Sequence, residues 1–364
     1  MNPTCIRLGG PSDILAVLPY QLGFHPRDSL VVVSLHGTRM GLVQRIDLPT
    51  AEQAPTAVRA LLPALLRKTP DGVLLLGYES TAGEALPLIE AMGSAAGDVG
   101  LAVRDRIVVR DGRWSSLQCD DPSCCPAGGR PLPAAHEVPA VAEFVGREVS
   151  PMADRAALAD RLRPAGPSRA GVVAACADDW LAARRVAAEG TAAGFEEVRR
   201  RELQAWATVL RCRDEDGPMP ALSPSDLARL AVSLTDVDLR DALVAWICPG
   251  ALTLDLVPEA LREQMVDVLP APLRHDGEPG LDPAEHAARS QRLECRLMGV
   301  CAALPEAWST APLTVLASFT WWRGDGALTR IALDRALAVD PDYRLARLLS
   351  RMVDLAIRPF GVPA

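Results

Sequence analysis

The chain has 364 residues, 49% hydrophobic and 23% charged, with a net charge of −8. That length exceeds what one hydrophobic core usually serves and predicts two domains. No stretch approaches the roughly 18 uninterrupted apolar residues of a membrane span, and the acidic balance argues against general binding to a phosphate backbone, so neither membrane nor nucleic acid is expected as a partner.

Residue usage excludes several chemistries. Lys68 is the sole lysine, and no glycine-rich loop ends in Gly-Lys, so Walker-type phosphate binding is out. The five histidines, His25, His36, His136, His275 and His286, form no HExxH, and Gly77 and Ser80 lie one residue too far apart for GxSxG. Nine cysteines without an even framework, and a start, MNPTCIRLGGPSD, lacking a basic n-region and an apolar h-region, predict a cytoplasmic chain with few disulfides or none.

In chain order, Ser12 is an expected N-cap for a short helix carrying Ile14, Leu15, Val17 and Leu18 and ending near Pro19 to Gly23. After the turn GFHPRDS, the run Leu30 to Leu35 is continuous and rich in valine, as in a strand buried on both faces. His36 and Gly37 turn the chain into an edge strand, Met40 to Leu48, and Thr50 caps a helix from about Ala51 to Lys68. Gly72 to Tyr78 is a second fully apolar strand, followed by the loop Glu79, Ser80, Thr81 and a helix to about Ser94. Leu101 to Val109 is the next strand, and Asp111-Gly112 folds Arg113 to Gln118 back on it. Strands alternating with helices predict an α/β domain over residues 1–150, with a mixed, mainly parallel five-stranded sheet and flanking helices. With right-handed crossovers the expected order is second, first, third, fourth, fifth strand.

That order gathers His25, Asp28, Asp47, Glu79 and Ser80 at one edge of the sheet, outside the carboxyl ends of the parallel strands, where open α/β sheets bind ligands. If the protein is an enzyme, for instance a hydrolase, these are its acid, base or ligand groups. The bland alternative makes Asp28 and Ser29 a turn and pairs Asp47 with an arginine.

The fifth strand leads away from that edge into RWSSLQCDDPSCCPAGGRPLP, which sets Cys119, Cys124 and Cys125 within seven residues among prolines and glycines. Three thiolates supply most of a zinc site, with His36 or His136 as a fourth ligand. The spacing, four residues and then none, is not that of a zinc knuckle. Redox chemistry between Cys119 and Cys124 is the second reading, and a surface loop plugged by buried thiols over Trp114 is the third. No cofactor is otherwise expected.

The segments PSDILAVLPYQLGFHPRDSLVVV, RIDLP and GRWSSLQCDDPSCCP resemble the actinobacterial family named domain of unknown function 4192, over most of the chain. The resemblance implies no activity and assigns no catalytic residue.

Beyond a linking helix from Glu137 to Arg147 the pattern turns helical, and residues 151–364 are expected to form an all-α domain. Its helices are predicted at Asp154 to Leu162, Ala170 to Ala188, Ala193 to Cys212, Ser225 to Leu234 and Leu239 to Ile247, with GEPGLDP, Gly277 to Pro283, as a flexible connection. Phe195, Val198, Leu203, Trp206 and Leu210 mark a buried stripe, and Arg199, Arg200 and Arg201 a solvated face neutralised by Glu196, Glu197 and Glu202. Residues 311–341 resemble one tetratricopeptide-type hairpin turning at Gly324 and Asp325, with a further helix from Asp342 to Ile357. Of Trp321 and Trp322, one is expected to leave the core. These features together predict a non-enzymatic interaction or regulatory protein whose helical domain takes a protein partner or self-associates. The alternatives are a small-ligand enzyme at the sheet edge and a zinc or thiol switch at the cysteines.

Overall fold

A computed structural model describes residues 8–67, 69–145, 150–164, 166–211, 221–274 and 282–357. Cys5, Lys68, Arg147, Cys212, His275 and Gly277 to Leu281 lie outside the described residues. The chain forms two compact units, centred on residues 2–155 and 156–353.

The first unit is α/β. Helix α1 (Pro11–Leu22) starts one residue before Ser12, so Ser12 lies in its first turn and does not cap it. Proline suits that first position, since its φ is already helical and its missing N–H would have no partner there. The helix runs on through Pro19 and ends at Gly23, which adopts the left-handed conformation with φ 75°. Strand β1 (Ser29–His36) and strand β2 (Arg39–Asp47) form a hairpin. Helix α2 (Ala54–Leu66), strand β3 (Gly72–Tyr78), helix α3 (Leu86–Asp98) and strand β4 (Ala102–Arg110) follow. Strand β5 (Arg113–Ser116), the two-residue strand β6 (Arg130–Pro131) and helix α4 (Pro139–Val145) complete the unit.

The sheet has six strands, not five, in the order β2-β1-β3-β4-β5-β6. It is mixed, and only the β3–β4 ladder is parallel, so the expectation of a mainly parallel sheet is corrected. The reason is the hairpin. It reverses β1 against β2, and α2 then carries the chain across β1 to β3, leaving two like-directed strands with an opposed one between them. The sixth strand comes from the proline- and glycine-rich stretch, which returns to pair with β5 after Gly129. Gly129 has φ 69°, and a Cβ there would lie 2.9 Å from the Trp114 carbonyl oxygen, so the return requires glycine.

One face of the sheet presents Leu30, Val32, Val73 and Leu75 to Val58, Leu61 and Leu65 of α2 and to Leu88, Ile89 and Met92 of α3, a single buried cluster. Gly77 lets α3 approach, since a Cβ there would meet the Ala85 Cβ at 2.6 Å. Alternation sends Val31, Val33, Leu74, Leu76 and Tyr78 to the other face, where all are buried. Helix α1 packs on α4 through Val17, Val138 and Val141.

The second unit is mostly helical: α5 (Arg155–Asp160), α6 (Pro167–Glu189), α7 (Ala192–Leu210), α8 (Pro224–Ser233), α9 (Val237–Ile247), α10 (Glu259–Val268), α11 (Pro283–Ala303), α12 (Thr310–Arg323), α13 (Gly326–Val339) and α14 (Arg344–Asp354). Helices α12 and α13 form a hairpin with Gly324 left-handed at the turn and Asp325 accepting from the Leu328 N–H. Trp322 is buried and donates to the Pro249 carbonyl at 3.0 Å, while Trp321 is half-buried. The arginine run on α7 is only partly solvated. Arg199 and Arg184 both reach Asp236, at 3.2 and 2.7 Å, and Arg184 with the Trp180 indole N–H binds Glu202, which is fully buried. Burial drives this arrangement, because a carboxylate withdrawn from water must be met by donors. Among the described residues no helix is long and apolar enough to cross a membrane.

Burial also holds the Glu294 carboxyl up at about 7, against the pull of Arg323 2.6 Å away. The folded group keeps its proton between its ordinary value of 4.5 and about 7, whereas the unfolded chain releases it, so this contribution to stability falls as pH rises through that window. Glu294→Gln is expected to flatten the pH dependence of urea unfolding there by up to about 1.4 kcal/mol per pH unit. An unchanged slope in the variant would contradict the assignment.

Candidate functional site

The register of the sheet brings three chain segments to one edge. Asp28, Tyr78 and Arg110 lie at or beside the start of β1 and the ends of β3 and β4, with Ser29 paired to Tyr78 and Tyr78 to Val109. Between these segments and α1 opens a cleft of about 800 Å³. Its apolar wall comes from Leu15, Ala16 and Pro19 of α1 and from Leu132 and Pro133 after β6. His25, Asp28, Glu79, Ser80 and Arg110 supply the polar lining, with Tyr78 beside them.

Four of the five sequence-predicted residues therefore meet in one cleft. Asp47 does not line it. Its carboxylate is exposed and pairs with Arg45 at 2.5 Å, because the edge strand ends pointing to solvent. Of the four that converge, the two acids are engaged in the fold. Glu79 is carried out of solvent at the end of β3, and both of its oxygens are bound: Oε1 accepts from the Gly83 N–H at 3.1 Å and from Arg110 at 2.8 Å, Oε2 from the Ala85 N–H at 3.0 Å. Asp28, at φ 41°, ties two strands together. Its side chain accepts from the Ser80 N–H at 2.9 Å and its carbonyl from the Leu48 N–H at 2.9 Å. Aspartate tolerates that left-handed conformation better than most residues.

His25 is exposed at the rim, and its backbone N–H is fixed to the Met152 carbonyl at 3.0 Å. Partial burial and then the nearby Arg27 charge lower its pKa, which favours the neutral imidazole at pH 7. Tyr78 is buried, its hydroxyl has no hydrogen-bond partner among the described residues, and burial raises its pKa well above the usual value. The Ser29 hydroxyl on β1 and the Trp114 indole N–H on β5 are likewise unpartnered among the described residues. Sequence reasoning missed Tyr78, Arg110 and the α1 wall. The signal available was a tyrosine closing an otherwise apolar strand.

The cysteine loop joins β5 to β6, and none of its thiols lines the cleft. The Sγ atoms of Cys119, Cys124 and Cys125 all lie within 4.8 Å of one another, as free thiols. Cys124 is exposed and the other two half-buried. Neither His36 nor His136, both exposed, joins them, and no carboxylate among the described residues completes the set. The loop is fixed by its backbone: the Asp121 carbonyl accepts from the N–H groups of Cys124 at 3.1 Å and Cys125 at 2.6 Å, and its carboxylate from those of Ser123, backbone and hydroxyl.

No curated protein and no solved structure matches the chain. A family model does, over residues 11–274 and 281–360, described as Domain of unknown function (DUF4192). The match spans both the cleft-bearing unit and the helical unit, and the chain belongs to that family.

Proposed function

We propose that this is a non-enzymatic regulatory protein whose α/β unit binds a small amphipathic molecule in the cleft at the sheet edge. The observation that carries this reading is the cleft itself: about 800 Å³, with an apolar wall and a few polar groups converging on it, as small-molecule sites are built. Binding is favoured over catalysis by the use already made of Glu79, the buried carboxylate of the cleft. A general base needs a free oxygen directed at substrate, whereas Glu79 spends both oxygens on Gly83, Ala85 and Arg110. The occupant's apolar body would lie along Leu15 and Pro19, with its polar group toward Ser80 and the 110–112 turn. The helical unit, with its tetratricopeptide-like hairpin, is the part assigned to a protein partner or to self-association, because units of that kind bury their faces by stacking on others.

Two outcomes are expected. Glu79→Ala takes the buried partner from Arg110, which keeps only the exposed Asp111 at 3.8 Å, and leaves two loop N–H groups without their acceptor, so it should cost roughly 1–3 kcal/mol in urea unfolding of the full chain, whereas Asp47→Ala should cost less than about 0.5 kcal/mol. Equal and small effects would remove Glu79 from its structural role. For the cleft, mass spectrometry of small molecules released on denaturing the chain after exposure to cell extract should find a compound that Ala135→Trp, a bulky change at the exposed rim, no longer retains. Identical profiles from the two proteins, both folded, would overturn the binding reading.

A further inference from the structure

We propose that Cys119, Cys124 and Cys125 bind one zinc ion through three thiolates, with the fourth coordination position open to a ligand from outside the loop. This loop lies between β5 and β6, none of its thiols lines the cleft, and an ion there is independent of the cleft's occupant. Tetrahedral Zn–S bonds of about 2.3 Å set sulfurs about 3.8 Å apart. Three sulfurs already within 4.8 Å of one another, drawn from positions five and six residues along the chain from Cys119, are close to that spacing. A disulfide would need two of them at about 2.05 Å, and all three are free.

The loop's construction gives a reason for that convergence. Its turns are closed by backbone bonds that use no sulfur: Cys124 and Cys125 N–H to the Asp121 carbonyl, and Gly129 N–H to the Pro126 carbonyl at 2.7 Å. Arg113 then clamps the Gly128 and Gly129 carbonyls at 2.6 and 2.7 Å, and Arg130 reaches the Ser123 carbonyl at 3.2 Å. The sulfurs are thus held on a preformed frame, which lowers the ordering needed to bind an ion. Three thiolates outweigh the charge of Zn²⁺, so the loaded site would carry a net charge of about −1.

The donor set selects the metal. Three soft sulfurs, with no nitrogen or oxygen ligand joining them among the described residues, suit zinc and exclude magnesium and calcium. Structural zinc sites close with a fourth protein ligand, whereas three protein ligands leave a position for water or substrate. Cys124 is exposed, so the open position is reachable from solvent. Binding displaces the three S–H protons to solvent and forms three Zn–S bonds, with no change in oxidation state.

The test is metal analysis of the full chain, purified without chelator or affinity tag under reducing conditions, by elemental mass spectrometry. About one zinc per chain is expected. Cys124→Ser and Cys125→Ser should each weaken zinc binding more than about tenfold, while Cys176→Ser, in the helical unit, should leave it unchanged. Cobalt added to the metal-free wild-type chain should give the thiolate-to-cobalt charge-transfer absorption, a readout that needs no variant to fold. Wild-type protein that binds neither zinc nor cobalt, iron with acid-labile sulfide in place of zinc, or a Cys119 disulfide found under the same conditions would each overturn the proposal.

Discussion

Glu79 leaves solvent at the end of β3, and a carboxylate there has to find donors for both oxygens or abandon its charge. It finds them in two places at once. The Gly83 and Ala85 N–H groups fix the loop that leads into α3, and Arg110 fixes the end of β4. Two strand ends and the entry of a helix are thereby locked to a single side chain. Asp28 does similar work on the other side, binding the Ser80 N–H with its carboxylate and the Leu48 N–H with its carbonyl. The polar side of the cleft, at the ends of β3 and β4 and the start of β1, is held by these two acids, while its apolar side comes from α1 and from Leu132 and Pro133.

The cysteine loop obeys the same logic with a different chemistry. Its frame is made by backbone bonds and by Arg113 and Arg130, so the sulfurs are left free to face one another. In the helical unit the burial of Glu202 and Glu294 is met by arginines arriving from other helices, Arg184 and Arg323. A chain with one lysine and many arginines suits such pairing, since guanidinium is more weakly hydrated than ammonium and offers several donors in a fixed plane.

Much of the α/β unit was legible in the residues. Continuous apolar runs marked β1 and β3, Asp111-Gly112 marked the hairpin, and the strand order followed from right-handed crossover. The pairing sense was less legible, because α2 crosses over β1 and the helix alone does not tell whether the strand it skips runs with or against its neighbours. Strand β6 escaped notice since two residues of ladder inside a proline- and glycine-rich stretch carry no periodicity. At the site, the expected strand order set His25, Asp28, Glu79 and Ser80 beside one another, and they line one cleft, whereas Asp47, at the same sheet edge, turns its side chain to solvent. Burial of Glu202 was hidden for a comparable reason: in RRRE the charges look solvated until the facing helices are placed.

The central claim is that Glu79 and Asp28 hold the cleft preformed. Hydrogen–deuterium exchange of the full chain, resolved at the amides of Ser80, Gly83 and Ala85, tests it most directly. Protection of all three in the wild-type protein is predicted, with Gly83 and Ala85 losing it in Glu79→Ala and Ser80 losing it in Asp28→Ala. Fast exchange at these amides in the wild-type chain, as in an unrestrained surface loop, would contradict the account.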